Sequence, residues 1–369
     1  MKVKILFIAS EFSSGMIPFA AKIITSLYKN EFFDIYAIIV NSGNKSYKKL
    51  VNEINKKHVI QIEYPKSKLL KLVYKFYPYH IIKEIKNVDR KIKPDIIHLL
   101  TGDFTLAPYI LTHKVDRRWY YTVHDLHPHE TNSPNISHFL LHKYIVWGYK
   151  TLRDKIQNLT TSSISQFDEL KNIYPRKNIG FTHFPSLLTK EMQNGNIKVP
   201  ELKGIYDYIL FFGTVDTYKG VDLLIRAYNE SEKLQKMNLV IAGKGNDYSE
   251  VINGNKNIIR INRFIDDAEI KDLFEKSAFV VYPYKSATMS GVLSIAYYFK
   301  KRVLLSSIPF FCDNASSDSC FFDTGSIDDL QRKAEELSAS NLTTDNNSYE
   351  EIYSENSLIE DYYKLYFDP

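Results

Sequence analysis

Cysteine is nearly absent: Cys312 and Cys320 are the 2 in 369 residues. A disulfide framework is thereby excluded, and no Cys/His grouping has metal-ligand spacing, so a reducing compartment and no bound metal or other cofactor are expected. Long hydrophobic runs are lacking too. The apolar stretch Val3 to Ala9 is too short to cross a bilayer, and no cleavage-like segment follows it, so it reads as a first buried strand. Without a signal peptide, the Asn-x-Ser/Thr triplets at Asn158 and Asn341 read as chance in an Asn-rich chain. Short repeats and low-complexity tracts are missing. So are a helix-turn-helix, an RNA-binding sheet signature and a zinc module, and no nucleic acid partner is expected. A cytoplasmic globular protein is therefore expected.

The composition agrees with that: 44% hydrophobic and 25% charged residues are an ordinary balance, and 369 residues suffice for two domains with separate cores. The net charge of +5 is unevenly spread. Residues 45–93 hold 14 Lys/Arg against 4 Asp/Glu, whereas residues 340–369 hold 1 against 7. Within the basic half, Lys66–Lys93 interleaves lysines with Leu69, Leu70, Leu72, Val73, Tyr74, Phe76, Tyr77 and Tyr79. Such a segment can be a solvated face over a core, or it can make peripheral contact with an anionic membrane surface at the inner face of the cell membrane.

Val3–Ala9 is followed by apolar residues at helical spacing (Met16, Ala20, Ile23, Ile24, Leu27), which makes a strand–helix unit. Further strands are expected at 35–40, 96–100 and 120–123, each too uniformly apolar for a half-exposed antiparallel sheet. The same grammar restarts at Asp207, with strands near 208–212, 238–242, 257–261, 278–282 and 302–306. Two doubly wound α/β domains are therefore expected, residues 1–185 and 186–348, with a helix over about 349–369 completing the first. Residues 182–205, with Pro185, Gly195, Pro200 and Gly204, read as the linker.

In such folds ligands sit at the carboxyl ends of strands. Leu210 to Gly213 is a strand running into glycine; a polar loop with Thr214 follows, and Lys219-Gly220 opens an amphipathic helix. Free N–H groups at a helix start beside a lysine form a seat for a diphosphate. Leu239 to Gly245, with Gly243, is a second strand ending in glycines, and Phe279 to Tyr284 leads to a third helix start at Ser290-Gly291-Val292.

Phe-Phe-Gly-x5-Lys-Gly at 211–220, Val-Ile-Ala-Gly-Lys-Gly at 240–245, Ile-Asp-Asp-Ala-Glu-Ile at 265–270 and Thr-Val-His-Asp-Leu-His-Pro at 122–128 together resemble successive landmarks of the GT-B fold glycosyltransferases of family 4. The resemblance covers nearly the whole chain. It implies two Rossmann-like domains facing a central cleft, and a retaining, metal-independent transfer from a nucleotide-sugar donor held by the C-terminal domain to an acceptor on the N-terminal domain. It places Gly213, Thr214, Lys219, Gly220, Gly243, Arg263, Phe264, Ser290, Gly291 and Val292 at the donor, His124 near the donor sugar with Asp125 behind it, and Ser14 and Gly15 in a loop that approaches acceptor or phosphate. Lys219 and His124 are the expected catalytic groups. Thr214 stands where the family usually has arginine, and the paired glutamates eight positions apart fall on Ala287 and Ile295.

The expected function is thus glycosyl transfer to a glycan or polyprenyl-linked acceptor in surface polysaccharide biosynthesis. Two rivals are a non-catalytic GT-B protein that binds glycan or supports a partner, and a nucleotide-sugar epimerase.

Overall fold

The computed structural model describes residues 2–10, 16–41, 54, 55, 57–63, 65–113, 115, 116, 118–126, 136–287, 290–340 and 347–367. They divide into two compact units, residues 1–185 with 355–369, and residues 186–354.

The first unit contains β1 (Val3–Ser10), α1 (Ile17–Tyr28), β2 (Phe33–Asn41), β3 (Val59–Glu63), α2 (Lys68–Phe76), α3 (Tyr79–Ile92), β4 (Ile96–Leu99), α4 (Ala107–Thr112), β5 (Trp119–Thr122), α5 (Ile136–Lys155), β6 (Asn158–Thr161), α6 (Ile164–Ile173) and β7 (Asn178–Phe181). Its seven strands form one sheet in the order β3-β2-β1-β4-β5-β6-β7, paired in parallel. The register of β1 against β2, Val3 with Phe33 through Ser10 with Val40, stacks apolar residues along nearly the whole strand. Burial on both faces is why these strands carry no polar alternation. Side-chain caps start the helices, with Ser67 accepting from the Leu70 N–H at 3.2 Å and Ser163 from the Gln166 N–H at 3.4 Å.

The second unit runs through α7 (Lys190–Asn194), β8 (Tyr208–Phe212), α8 (Val221–Glu230), β9 (Leu239–Ala242), α9 (Ser249–Ile252), β10 (Ile258–Ile261), α10 (Ile270–Glu275), β11 (Ser277–Tyr282), α11 (Val292–Tyr298), β12 (Arg302–Ser306), α12 (Pro309–Asn314), β13 (Cys320–Phe322), α13 (Ile327–Ala339) and α14 (Ser348–Tyr353). Its parallel sheet has the order β10-β9-β8-β11-β12-β13.

Two expectations about the ends are corrected. The terminal stretch is two helices, because Ser354 is extended (φ −62°, ψ 155°): α14 packs in the second unit, and α15 (Glu355–Phe367) returns to the first. In the first unit the buried ring of His98 on β4 ties α15 down, with Nδ1 2.7 Å from the Tyr366 hydroxyl and Nε2 2.9 Å from that of Thr122. Burial lowers the His98 pKa to about 3, so the ring is neutral. The expected linker is also more structured than its prolines and glycines suggest. It carries α7, and Leu188, Val199 and Leu202 are buried in the second unit's core.

Candidate functional site

In the second sheet, the strand order reverses between β8 and β11, whose connections leave in opposite directions. Ligands of doubly wound sheets bind beyond the strand ends at such a switch point. Here β8 runs into Gly213 and β11 into Pro283-Tyr284. Gly220, with φ +65°, is where the start of α8 meets the β11 loop: a Cβ there would lie 1.9 Å from the Pro283 carbonyl oxygen. Only glycine permits that approach.

The close approach sets Lys219. The residue is 8% exposed, and its ammonium stands 3.7 Å from the centroid of the Tyr284 ring and 5.0 Å from that of Tyr218. Among the described residues no carboxylate forms an ion pair with it. Burial lowers its pKa to about 8, opposed by Tyr218 and by the charge of Asp216. Lys219 is therefore a protonated, largely desolvated cation at neutral pH, steadied by ring faces. The nearby carboxylates have other partners: Asp216 accepts from the Thr217 N–H at 2.6 Å, and Asp222 pairs with Lys285 at 3.0 Å.

The loop after β9 is laid directly on the loop after β8. A Cβ on Gly243 (φ +142°) would be 1.9 Å from the Gly213 carbonyl oxygen. The Val215 N–H donates to Lys244 O at 3.0 Å, and the Asn246 N–H to Val215 O at 2.8 Å. Beneath them lies Arg260, a residue the sequence reading passed over. Its guanidinium donates to the carbonyls of Gly243 (2.7 Å), Ile261 (3.0 Å), Ile241 (3.1 Å) and Asn246 (3.0 Å), and so fixes both ends of the glycine loop. The available signal was a single arginine inside the otherwise apolar strand Ile258-Ile259-Arg260-Ile261.

The third segment reaches the same place. A Cβ on Gly213 would come 3.9 Å from Val292 Cγ1, and Ser290 is buried just ahead of it. Gly291 lies against the Leu187 side chain, whose Cδ1 a Cβ there would meet at 2.2 Å. Gly213 is thus near both Gly243 and Val292, Gly220 lies against Pro283 of the β11 loop next to Lys219, and Thr214 is exposed beside Gly213. Ala287 packs against the core and Ile295 is buried in it, so neither glutamate position offers a carboxylate.

Arg263 does not join them through its side chain. Its guanidinium pairs with Glu201 at 2.8 Å and Glu269 at 2.7 Å, and Glu269 also accepts from the Asp266 N–H at 3.0 Å in a capping box that starts the turn before α10. That side chain serves the fold. The Phe264 ring is 72% exposed.

In the first unit, His124 follows β5. Its Nε2 lies 2.6 Å from the Leu100 carbonyl, which can only accept, so Nε2 carries the proton and the backbone of the β4 loop sets the tautomer. The ring stands edge-on to Phe19 with centroids 4.8 Å apart, and burial lowers its pKa to about 4, which makes it neutral at physiological pH. The His124 carbonyl accepts from Gln166 Nε2 at 3.3 Å, while Gln166 Oε1 accepts from the Leu126 N–H at 2.8 Å. Gln166 was also missed. Asp125, beside His124, is partly buried; Ser14 and Gly15 lie outside the described residues.

The sequence profile described as glycosyl transferases group 1 matches residues 193–356. The matched span coincides closely with the second unit, and the whole chain has the GT-B fold of solved glycosyltransferases. A glycosyltransferase from Rickettsia africae ESF-5 superposes with a TM-score of 0.71 at 15% identity, covering 100% of this chain and 98% of the other. Anabaena Alr3699/HepE, solved in complex with UDP and glucose, gives 0.69 at 13% identity with both chains covered completely. WaaG, a glycosyltransferase involved in lipopolysaccharide biosynthesis, gives 0.62 at 11% identity, again covering 100% of each. No curated protein matches the chain in sequence.

Proposed function

We propose that this GT-B protein is a retaining glycosyltransferase that moves a sugar from a nucleotide-sugar donor to a hydroxyl of a glycan or polyprenyl-linked acceptor in surface polysaccharide biosynthesis. The observation that carries this reading is Lys219: a buried cation that, among the described residues, has no carboxylate ion-pair partner, at the switch point of the sheet in the span that resembles glycosyl transferases group 1. A buried positive charge is unfavourable alone and favourable once an anion is seated against it. As the bond from the anomeric carbon to the diphosphate oxygen breaks, negative charge grows on the leaving group, and a preorganised ammonium acts most strongly there. The acceptor hydroxyl forms the new bond to the anomeric carbon, and its proton passes to the departing diphosphate oxygen. His124, neutral and with its tautomer fixed, serves as a polar wall for the first unit's ligand. Lys219 supplies the countercharge that a divalent cation would otherwise give, so turnover is expected to survive a chelator.

Incubating the protein with nucleotide sugars and following release of free nucleoside diphosphate tests this. Release with one donor, lost in Lys219→Met while that variant stays folded, is the expected result. No release from any donor, with or without candidate acceptors, favours the second reading, a glycan-binding GT-B protein without catalysis. That reading draws on Ala287 and the buried Ile295 at the two glutamate positions.

A further inference from the structure

The most unusual surface of the first unit is α2. A surface helix ordinarily buries its apolar stripe and shows polar residues to water. Here the arrangement is reversed. Of the nine residues of α2 only Tyr74 is buried, while Leu69, Leu70, Leu72, Val73 and Phe76, with Tyr77 and Tyr79 just beyond, are 42–71% exposed. At 100° per residue, Leu72, Phe76, Leu69, Val73, Tyr77 and Leu70 sweep an outward arc of roughly 160°. Lys68, Lys71 and Lys75 form a separate stripe along one flank.

The patch continues onto α5. Phe76 packs on Tyr144 with centroids 5.0 Å apart, and the Tyr144 hydroxyl donates to the Lys75 carbonyl at 3.1 Å. Tyr144 stacks on Trp147 at 5.4 Å, and Phe139, Leu140 and Trp147 are themselves exposed. Lys143 lies over the Phe139 ring at 4.5 Å. By contrast, α3 faces inward with Ile81, Ile82, Ile85 and Val88 buried, so the apolar residues of the 66–93 segment beyond Tyr79 belong to the core.

We infer that α2 and the amino-terminal half of α5 together dock the protein on the surface of a bilayer containing anionic lipid. The charge pattern selects this occupant. From residue 64 to residue 83 there are five lysines and no acidic residue. Exposed leucines and aromatics flanked by lysines match a headgroup boundary, where rings and alkyl chains enter the acyl edge and ammonium groups stay at the phosphates. No helix among the described residues is long and apolar enough to cross a membrane, so the contact is peripheral. The inference concerns a face of the first unit and stands apart from the chemistry proposed for the second.

Sedimentation with vesicles tests it. The full chain is mixed with vesicles of phosphatidylcholine alone or with 30% phosphatidylglycerol, at low and high salt. Binding to the anionic vesicles, weakened by salt, is expected. Each lysine near such a surface contributes about fivefold to partitioning, so Lys68→Gln/Lys71→Gln/Lys75→Gln should lower it on the order of a hundredfold. Leu69→Ser/Leu72→Ser/Phe76→Ser should abolish it. Both variants leave Tyr74 in place, and unchanged circular dichroism and melting temperature show that they fold. Wild-type protein remaining in solution with both vesicles overturns the inference. So does equal, salt-insensitive binding to neutral vesicles. A concentration-dependent dimer in light scattering that the serine variant disperses, without vesicle binding, would assign the face to a second copy of the chain instead.

Discussion

Replacing Lys219 by methionine should stabilise the unliganded protein. A lysine moved from 10.5 to about 8 carries a penalty of about 3 kcal/mol while it is protonated and buried. The contact with the Tyr284 ring, worth roughly 1–2 kcal/mol, offsets part of this and is lost in the variant. Methionine fills similar volume without a charge, which leaves a net gain of about 1–2 kcal/mol at pH 7, or a rise in melting temperature of about 4 °C. The sign follows from proton binding. Between pH 8 and 10.5 the unfolded lysine holds a proton that the folded one has shed, so wild-type stability rises with pH across that window. The advantage of Lys219→Met should therefore be full below pH 8 and fade towards pH 10.5. Thermal and urea unfolding of both proteins at pH 7, 8, 9 and 10 reads this directly, and the difference between them cancels every other titrating group. A variant less stable than wild type at pH 7, or a difference constant over the series, would refute the description of Lys219 as a destabilising charge awaiting an anion.

Arg260→Lys keeps the charge but loses the planar fork that holds four carbonyls, and should cost about 2 kcal/mol in a urea melt while weakening nucleotide binding through the Gly243–Gly245 loop. For His124, the folded pKa of about 4 lies below the unfolded value near 6.5, so wild-type stability falls as pH drops through that window, by up to about 3 kcal/mol. His124→Gln should be spared that part of the loss, which acid unfolding of the two proteins side by side would show.

Much of the fold was legible because buried parallel strands are uniformly apolar, as in Val3–Ala9, Tyr208–Phe212 and Phe279–Tyr282. The strands that escaped have other signatures. In β6, Asn158-Leu159-Thr160-Thr161 looks like a turn, yet it is a strand whose Asn158 amide donates to the Trp119 carbonyl at 2.9 Å and accepts from Asn178 at 2.8 Å. β3 and β7 are edges with partly exposed residues, and β13 has only three residues. At the site, Lys219-Gly220 was readable as a motif because strand end, glycine and lysine are adjacent in sequence. Tyr284 and Arg260 were not, since their roles arise from contacts 65 and 17 residues away, with Lys219 and Gly243, that no local pattern encodes. Arg263 shows the converse: it lies in a recognisable segment, but its partners Glu201 and Glu269 turn it into a structural pair.

The central claim is that Lys219 and the loops around it receive a nucleoside diphosphate. Isothermal titration of UDP, GDP and ADP into the wild-type protein and Lys219→Met, in two buffers of different ionisation enthalpy at pH 8.5, tests it most directly. The account predicts saturable binding of one nucleotide, proton uptake as the bound anion raises the Lys219 pKa, and loss of both in the variant. Binding with no proton uptake and undiminished in Lys219→Met, or no binding of any of the three, would contradict it.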